Sequence, residues 1–392
     1  MPSKMSTAKA IVCEIGEAFD IDTSSIAVYD ERVYDRLLKD RNLGMGESYM
    51  EGWWDCKRLD DFICQVQRKQ IGPKIQWGWW TWIRWGALYS WSWVFNLQSY
   101  DKSLEVGASH YDLGEELYGT MLDSRMMYSC GYWKDATTLD LAQEAKCELI
   151  CQKLGLKEGM TVLDIGCGWG GFAKYAADTY SVQVIGITIS NNQLQYARNH
   201  NKTDLTTFHF MDYRRMLGLP RYEGYFDRVV SIGMLEHVGA QNYDIFMETV
   251  DYVLKAEGLA LLHTIGGRQP KLLADAWFNK YIFPNSVLPT LTQISKSVEK
   301  VPGNPFVIED IHNFGSHYDK TLLCWYQNFM DGLGEINKKR TKAWKERLDE
   351  TFVRMWRYYL LCSAGMFRSR DIQLYQVVLS KGGVEGGYQS IR

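Results

Sequence analysis

Nine cysteines, at positions 13, 56, 64, 130, 147, 151, 167, 324 and 362, form no C-x-x-C pair, so the usual spacing of a structural zinc site is missing and no metal is expected. The amino terminus also lacks the apolar stretch of a signal peptide, because the run after Lys9 is broken at Glu14. An odd number of thiols with no leader predicts reduced cysteines in the cytosol. An excess of charge is absent too: 44 basic against 47 acidic residues leave a net charge of −3, which argues against nucleic acid as the main partner. Membrane attachment must then rest on local features. What the chain does have is length, since 392 residues can bury a full core and predict two domains.

A second absence lies in the middle of the chain. Val162-Leu163-Asp164-Ile165-Gly166-Cys167-Gly168-Trp169-Gly170-Gly171 is an apolar run that ends in an acid and breaks into glycines, the pattern of a strand-to-helix turn around a ligand. Gly166, Gly168 and Gly171 satisfy G-x-G-x-x-G, but a dinucleotide site needs an acid about 20 residues further on to hold a ribose hydroxyl. That place holds Gly186-Ile187-Thr188-Ile189-Ser190, with no carboxylate for NAD. Asp164 and the pair Gly170-Gly171 instead resemble the first motif of class I methyltransferases, which bind S-adenosylmethionine. For a sulfonium cofactor a nearby carboxylate is useful and a pyrophosphate cradle is not.

The first hundred residues have helical periodicity. Val33, Leu37 and Leu38 are expected to share one face, and Leu59, Phe62, Ile63 and Val66 another, in a small helical domain over 1–100. Seven of the fifteen tryptophans fall within residues 77–93. Indoles favour the membrane interface over the aliphatic core of a span, so this stretch reads either as a lipid-facing surface or as an aromatic core or dimer contact. From Met160 strands at 161–165, 182–188, 206–211, 226–232 and 258–264 alternate with helices at 172–180, 191–200 and 242–254, which predicts a doubly wound parallel sheet. Five of the eight prolines lie between 270 and 305, so a substrate lid of irregular structure and short helices is expected around 267–320. Helices near 321–330 and 343–366 and a last strand at 374–380 complete a domain over 101–392.

Tyr128-Ser129-Cys130-Gly131-Tyr132-Trp133, the glycine turn, Gly233-Met234-Leu235-Glu236-His237-Val238-Gly239 and Arg370-Asp371-Ile372-Gln373-Leu374 closely resemble cyclopropane-fatty-acyl-phospholipid synthases, within the wider mycolic acid cyclopropane synthase superfamily. Gly44-Met45-Gly46-Glu47-Ser48-Tyr49-Met50 extends the resemblance over nearly the whole chain. It implies an α/β class I methyltransferase (Rossmann-like) sheet with a smaller helical amino-terminal domain. It also implies methylene transfer from S-adenosylmethionine to the cis double bond of an unsaturated phospholipid in a bilayer. A homodimer in peripheral contact with the inner face of the membrane, in the cytoplasm, follows from the same resemblance.

The chemistry calls for a base. An alkene that attacks a sulfonium methyl becomes a carbocation, and a proton must leave the new methyl before the ring can close, with water kept out. The family's bound bicarbonate is that base, and its ligands carry over onto Cys130, Glu236, His263, the backbone of Ile265 and Tyr318. Beside an anion, Glu236 makes sense if it hydrogen-bonds a protonated form of the ion or orients His263. On their residues alone, His263 could be a strand-end histidine and Glu236 a helix-start acid.

By the same resemblance, Gly166, Gly168 and Gly170 would admit the methionine part of the cofactor beside Asp164, with Tyr128 and Ser129 as its cover. Thr188, Ser190 and Gln193 would hold the ribose, and Asp212 and Tyr213 the adenine. Tyr281, Phe283, Tyr318 and Trp325 are candidates to face a carbocation. One departure concerns Ser363, beside Cys362, where the family commonly has a cysteine; a pocket-lining role is expected there. The competing function is methylation of a small metabolite, or production of a methyl-branched lipid. The first would need no His263 and Tyr318 beside Tyr128.

Overall fold

The computed structural model describes residues 7–70, 115–201, 203–271, 275–338 and 349–392. The tryptophan-rich stretch at 77–93 and the expected domain boundary near residue 100 lie outside them.

The amino-terminal part consists of α1 (Thr7–Ala18), β1 (Ile26–Val28), α2 (Arg32–Met50), β2 (Trp54–Cys56) and α3 (Leu59–Lys69), with β1 and β2 paired antiparallel. This two-stranded ribbon was not foreseen from the helical periodicity. On α3, Leu59, Phe62 and Ile63 are buried as expected. On α2, Val33 is buried but Leu38 is exposed. Five residues advance a helix by about 500°, which puts Leu38 some 140° away from Val33.

The larger part begins with α4 (Glu115–Met121) and α5 (Leu139–Lys153), whose start is capped by the Thr138 hydroxyl accepting from the Leu141 amide. Then come β3 (Thr161–Ile165), α6 (Gly171–Tyr180), β4 (Gln183–Thr188), α7 (Asn191–His200), β5 (Thr206–Phe210), β6 (Phe226–Ile232), α8 (Tyr243–Val253) and β7 (Leu254–Gly267). The insertion after β7 holds α9 (Ala276–Tyr281) and α10 (Leu291–Glu299), followed by β8 (Phe306–Asn313), α11 (Ser316–Lys338), α12 (Glu350–Arg368) and β9 (Ile372–Lys381). One sheet of seven strands runs β5-β4-β3-β6-β7-β9-β8. Its first five strands are parallel, and β9 is antiparallel to both neighbours. Val162 to Ile165 are all buried, as befits a central parallel strand covered on both faces. The expected doubly wound class I methyltransferase sheet is what the chain forms.

Several boundaries shift, among them the strand expected at 258–264, which spans 254–267. The helix expected at 321–330 spans 316–338, and the expected lid ends in β8, an edge strand that leaves Val307, Ile308 and Ile311 exposed. An edge strand with apolar residues outward shows no clean alternation, so sequence periodicity passes over it. The amino-terminal part packs on α9 and α12: Tyr49, Trp54 and Phe62 share a core with Trp277, Trp356 and Tyr358. A Cβ on Gly46 would lie 2.3 Å from the Trp277 ring, so glycine is required for this approach. Glu47 accepts hydrogen bonds from Lys280 and Tyr281, and the Arg354 guanidinium donates to the carbonyls of Tyr49 and Trp54.

Candidate active site

The glycine turn closes on the strand beside it. The amides of Gly166 and Cys167 both donate to the Ile187 carbonyl, at 2.9 and 3.0 Å, which folds the chain back over the end of β4. Gly166 has φ +81° and Gly170, the cap residue of α6, φ +86°, conformations that side chains rarely tolerate. Gly171 is needed for a different reason: a Cβ there would sit 2.2 Å from the Arg125 carbonyl oxygen.

A cavity opens at this turn. It is lined by Tyr128, Ser129, Asp164, Gly166, Gly168, Thr188, Ser190, Gln193, Asp212 and Tyr213, so ten of the eleven expected cofactor residues meet in one place. The exception is Gly170, which faces Asn201, Phe208 and Ala197 instead and serves the turn. Thr188 Oγ1 donates to Gln193 Oε1 at 3.0 Å, while the Ser190 hydroxyl caps α7. Asp212 accepts from the Arg214 amide, and Tyr213 packs edge-on against Phe246 with its ring buried.

Asp164 decides what the cavity suits. Its carboxylate is buried, Oδ1 has no hydrogen-bond partner among the described residues, and burial lifts its pKa to about 7 against the pull of the Lys146 ammonium. An unpaired carboxylate oxygen in a cavity with mostly apolar walls fits a cationic ligand such as a sulfonium or an ammonium group.

Sequence reasoning missed what holds the cover. Lys146, wholly buried on α5, donates to Ser129 Oγ and to Gln143 Oε1, each at 2.8 Å, and Gln143 Nε2 donates to the Ser129 carbonyl at 2.8 Å. Asp123 accepts from the amides of Arg125 and Met127. Thr321 on α11 accepts from the Gly131 amide and from Trp133 Nε1, which stitches the segment down on its other side. A buried lysine three residues after a buried glutamine leaves no composition signal; only the fold shows both facing one loop.

The residues expected to hold the base lie on the segment before α5, just after β6 and on β7. Glu236, at the helical turn Leu235–Val238 that follows β6, is buried, and its Oε1 accepts from the Ile265 amide at 2.6 Å. Oε2 has no partner among the described residues, and burial raises the pKa to about 7. His263, two residues before Ile265 on β7, is buried with Nε2 unpartnered, and burial drives its pKa well below the usual histidine range. Ile265 is therefore engaged through its N–H by Glu236, and its carbonyl accepts from Thr264 Oγ1. Cys130 is fully buried, its thiol donates to the Gly131 carbonyl, and desolvation raises its pKa, so it is a neutral thiol and no nucleophile.

Aromatic rings gather around Tyr128 at the edge of the cavity. Tyr128 lies 5.2 Å from Trp325 and 6.5 Å from Phe283 between ring centroids, and its hydroxyl meets that of Tyr359 at 2.8 Å. Tyr318 stacks on Phe367 at 4.5 Å and meets Trp325 edge-on at 5.9 Å. Tyr281 is drawn away from this group by Trp277 and Glu47. Ser363 does not line the cofactor cavity. It sits on α12 four residues from both Tyr359 and Phe367 and so shares the helix face that carries these rings.

Comparisons with known proteins agree with this geometry. Residues 98–377 match the family model described as mycolic acid cyclopropane synthetase. The chain is 46% identical over 369 residues to a cyclopropane-fatty-acyl-phospholipid synthase of Escherichia coli K12, covering 94% of this chain and 91% of that protein. It is 35% identical over 289 residues to cyclopropane mycolic acid synthase 1 of Mycobacterium tuberculosis, covering 70% of this chain and 96% of the relative. A solved mycolic acid cyclopropane synthase, complexed with SAH and CTAB, superposes with a TM-score of 0.61 at 31% identity over 71% of this chain and 98% of that one. Turn, sheet and family model converge: the chain belongs to the mycolic acid cyclopropane synthetase family and is an S-adenosylmethionine-dependent enzyme of the class I methyltransferase fold.

Proposed function

We propose that this enzyme transfers a methylene group from S-adenosylmethionine to the cis double bond of an unsaturated acyl chain in a membrane phospholipid, with bicarbonate held at the Glu236–His263 pocket. The carrying observation is the pair Glu236 Oε2 and His263 Nε2, two buried polar atoms left without partners among the described residues. A buried polar atom costs stability unless something meets it in function. The name and 46% identity of the Escherichia coli relative support the lipid substrate.

In this reading the cofactor supplies an electrophilic methyl and bicarbonate a base for the proton that ring closure releases. Asp164 faces the cationic end of the cofactor, Ser129 and Tyr128 cover it, Thr188, Ser190 and Gln193 serve the ribose, and Asp212 and Tyr213 the adenine. With a pKa of about 7, Glu236 can hold a proton near neutrality and donate it to an anion instead of repelling it. His263, neutral in its buried place, adds a second contact, and Cys130 and Tyr318 complete the wall. The rings of Tyr128, Trp325, Phe283 and Tyr318 exclude water and present π faces to a developing carbocation. Residues 1–100, with the tryptophans at 77–93, form the membrane-facing and homodimerising domain on the cytoplasmic side, and residues 101–392 form the catalytic domain. No helix among the described residues is long and apolar enough to cross a membrane.

Mass spectrometry of lipids from cells expressing the chain tests this. Unsaturated phospholipids should gain one CH2 and lose reactivity toward ozone. An unchanged lipid profile with protein that binds S-adenosylmethionine would sink the proposal, and a methyl-branched product that keeps a double bond would overturn the bicarbonate assignment.

A further inference from the structure

His263 and Gln376 stand directly opposite each other across β7 and β9, so their side chains share one face of the sheet. Both are buried, and Gln376 Nε2 lies 3.2 Å from His263 Nδ1. Burial and the ammonium groups of Lys146 and Lys153 keep the imidazole neutral, so it carries one proton. Which nitrogen holds that proton is set by the group facing the other one. An amide NH2 facing Nδ1 makes Nδ1 the acceptor and leaves the proton on Nε2, the atom with no partner in the base pocket. In this orientation Gln376 Oε1 is the one amide atom without a partner. Turning the amide would leave two N–H donors unpaired in its place, which is the worse arrangement.

We propose that Gln376 is a positioning residue that fixes His263 as its Nε2–H tautomer, so that the imidazole presents a hydrogen-bond donor to an anion in the base pocket. This rests on the pocket being the anion site argued above. The opposite tautomer would turn a lone pair toward the anion, repelling its oxygens. Gln376 does not line the cofactor cavity and acts through the ring.

The test reads the tautomer directly. In protein labelled with 15N-histidine, long-range 1H–15N spectra report which ring nitrogen is protonated, and His263→Asn assigns the signal among seven histidines. The wild type should show Nε2–H. In Gln376→Glu the carboxylate should draw the proton to Nδ1, and kcat should fall at least about tenfold with the KM for S-adenosylmethionine changed less than about twofold. Gln376→Leu fills a similar volume without adding charge; it should give a tautomer mixture and an intermediate kcat, and it keeps the test open if the carboxylate variant does not fold. An Nδ1–H signal in the wild type, or a tautomer that neither variant shifts, would overturn the proposal. A shifted tautomer with unchanged kcat would overturn the role of Nε2–H as a donor. Shifted tautomers and lowered kcat in an enzyme indifferent to bicarbonate depletion would support the Gln376–His263 coupling while overturning bicarbonate as the anion.

Discussion

The cofactor cavity and the base pocket each hold a buried carboxylate near the end of a parallel strand, Asp164 on β3 and Glu236 just after β6, and burial lifts both to about 7. Their surroundings differ. Asp164 faces its cavity with one oxygen unpaired and the Lys146 ammonium acting on it; Glu236 anchors one oxygen on the amide of Ile265, two residues after the buried His263 on β7. A carboxyl poised near neutrality has no fixed sign: a cation makes it an anion, and an anion makes it a hydrogen-bond donor. In the proposed function the same desolvation serves opposite ligands, and the neighbouring groups choose between them.

Glu236→Ala should separate the two regions most sharply. Turnover is expected to fall about 10²- to 10⁴-fold, the range of a lost acid–base group, while binding of S-adenosylmethionine by calorimetry stays within about twofold; equal losses in both would erase the distinction between the pockets. Asp164→Asn should do the reverse, weakening cofactor binding about tenfold to a hundredfold, the worth of a hydrogen bond to a charged group at about 1.5–3 kcal/mol. The pH sign follows from the raised pKa. Below about 7 the wild-type Asp164 is protonated and a cationic cofactor must displace that proton, so affinity should rise with pH up to about 7 and then level off. Calorimetry in buffers of different ionisation enthalpy should show proton release that Asp164→Asn abolishes; a flat wild-type profile would remove Asp164 from the cation site. Smallest of the three, Gly171→Ala pushes a methyl against the Arg125 carbonyl and should cost about 1–3 kcal/mol, a few degrees in Tm. A thermal melt unchanged by this substitution would show that the 123–131 cover yields freely.

The same contrast explains what was legible in the sequence. The cofactor cavity is built at consecutive strand ends, and each end announces itself locally: Asp164 before the glycines, Thr188 to Gln193 after β4, Asp212 after β5. Residue patterns found that part of the sheet and the glycine turn, and the family resemblance assigned the ten lining residues at those strand ends. The proposed base site draws on segments scattered over nearly two hundred residues, and only resemblance could name Cys130, Glu236, His263 and Tyr318 together. Neither route pointed to Lys146 or Gln376, because a polar residue buried among apolar ones looks like noise until its partner across the fold is seen. The aromatic candidates were unsorted for the same reason; hydrogen bonding to Glu47 takes Tyr281 out of the group, and nothing near residue 281 in the sequence says so.

The strand order also bears on how the enzyme comes into being. β9 follows every other strand in the chain yet lies between β7 and β8, hydrogen-bonded to both. Until it inserts, two strands that precede it wait with open edges, a folding route with long-range closure and exposed pairing surfaces. Gln376 arrives on that strand. The His263 ring therefore gains the neighbour that faces its Nδ1 only once the last strand is paired. A chain cut short of β9 would keep the glycine turn in its sequence yet leave both β7 and β8 without the strand that joins them.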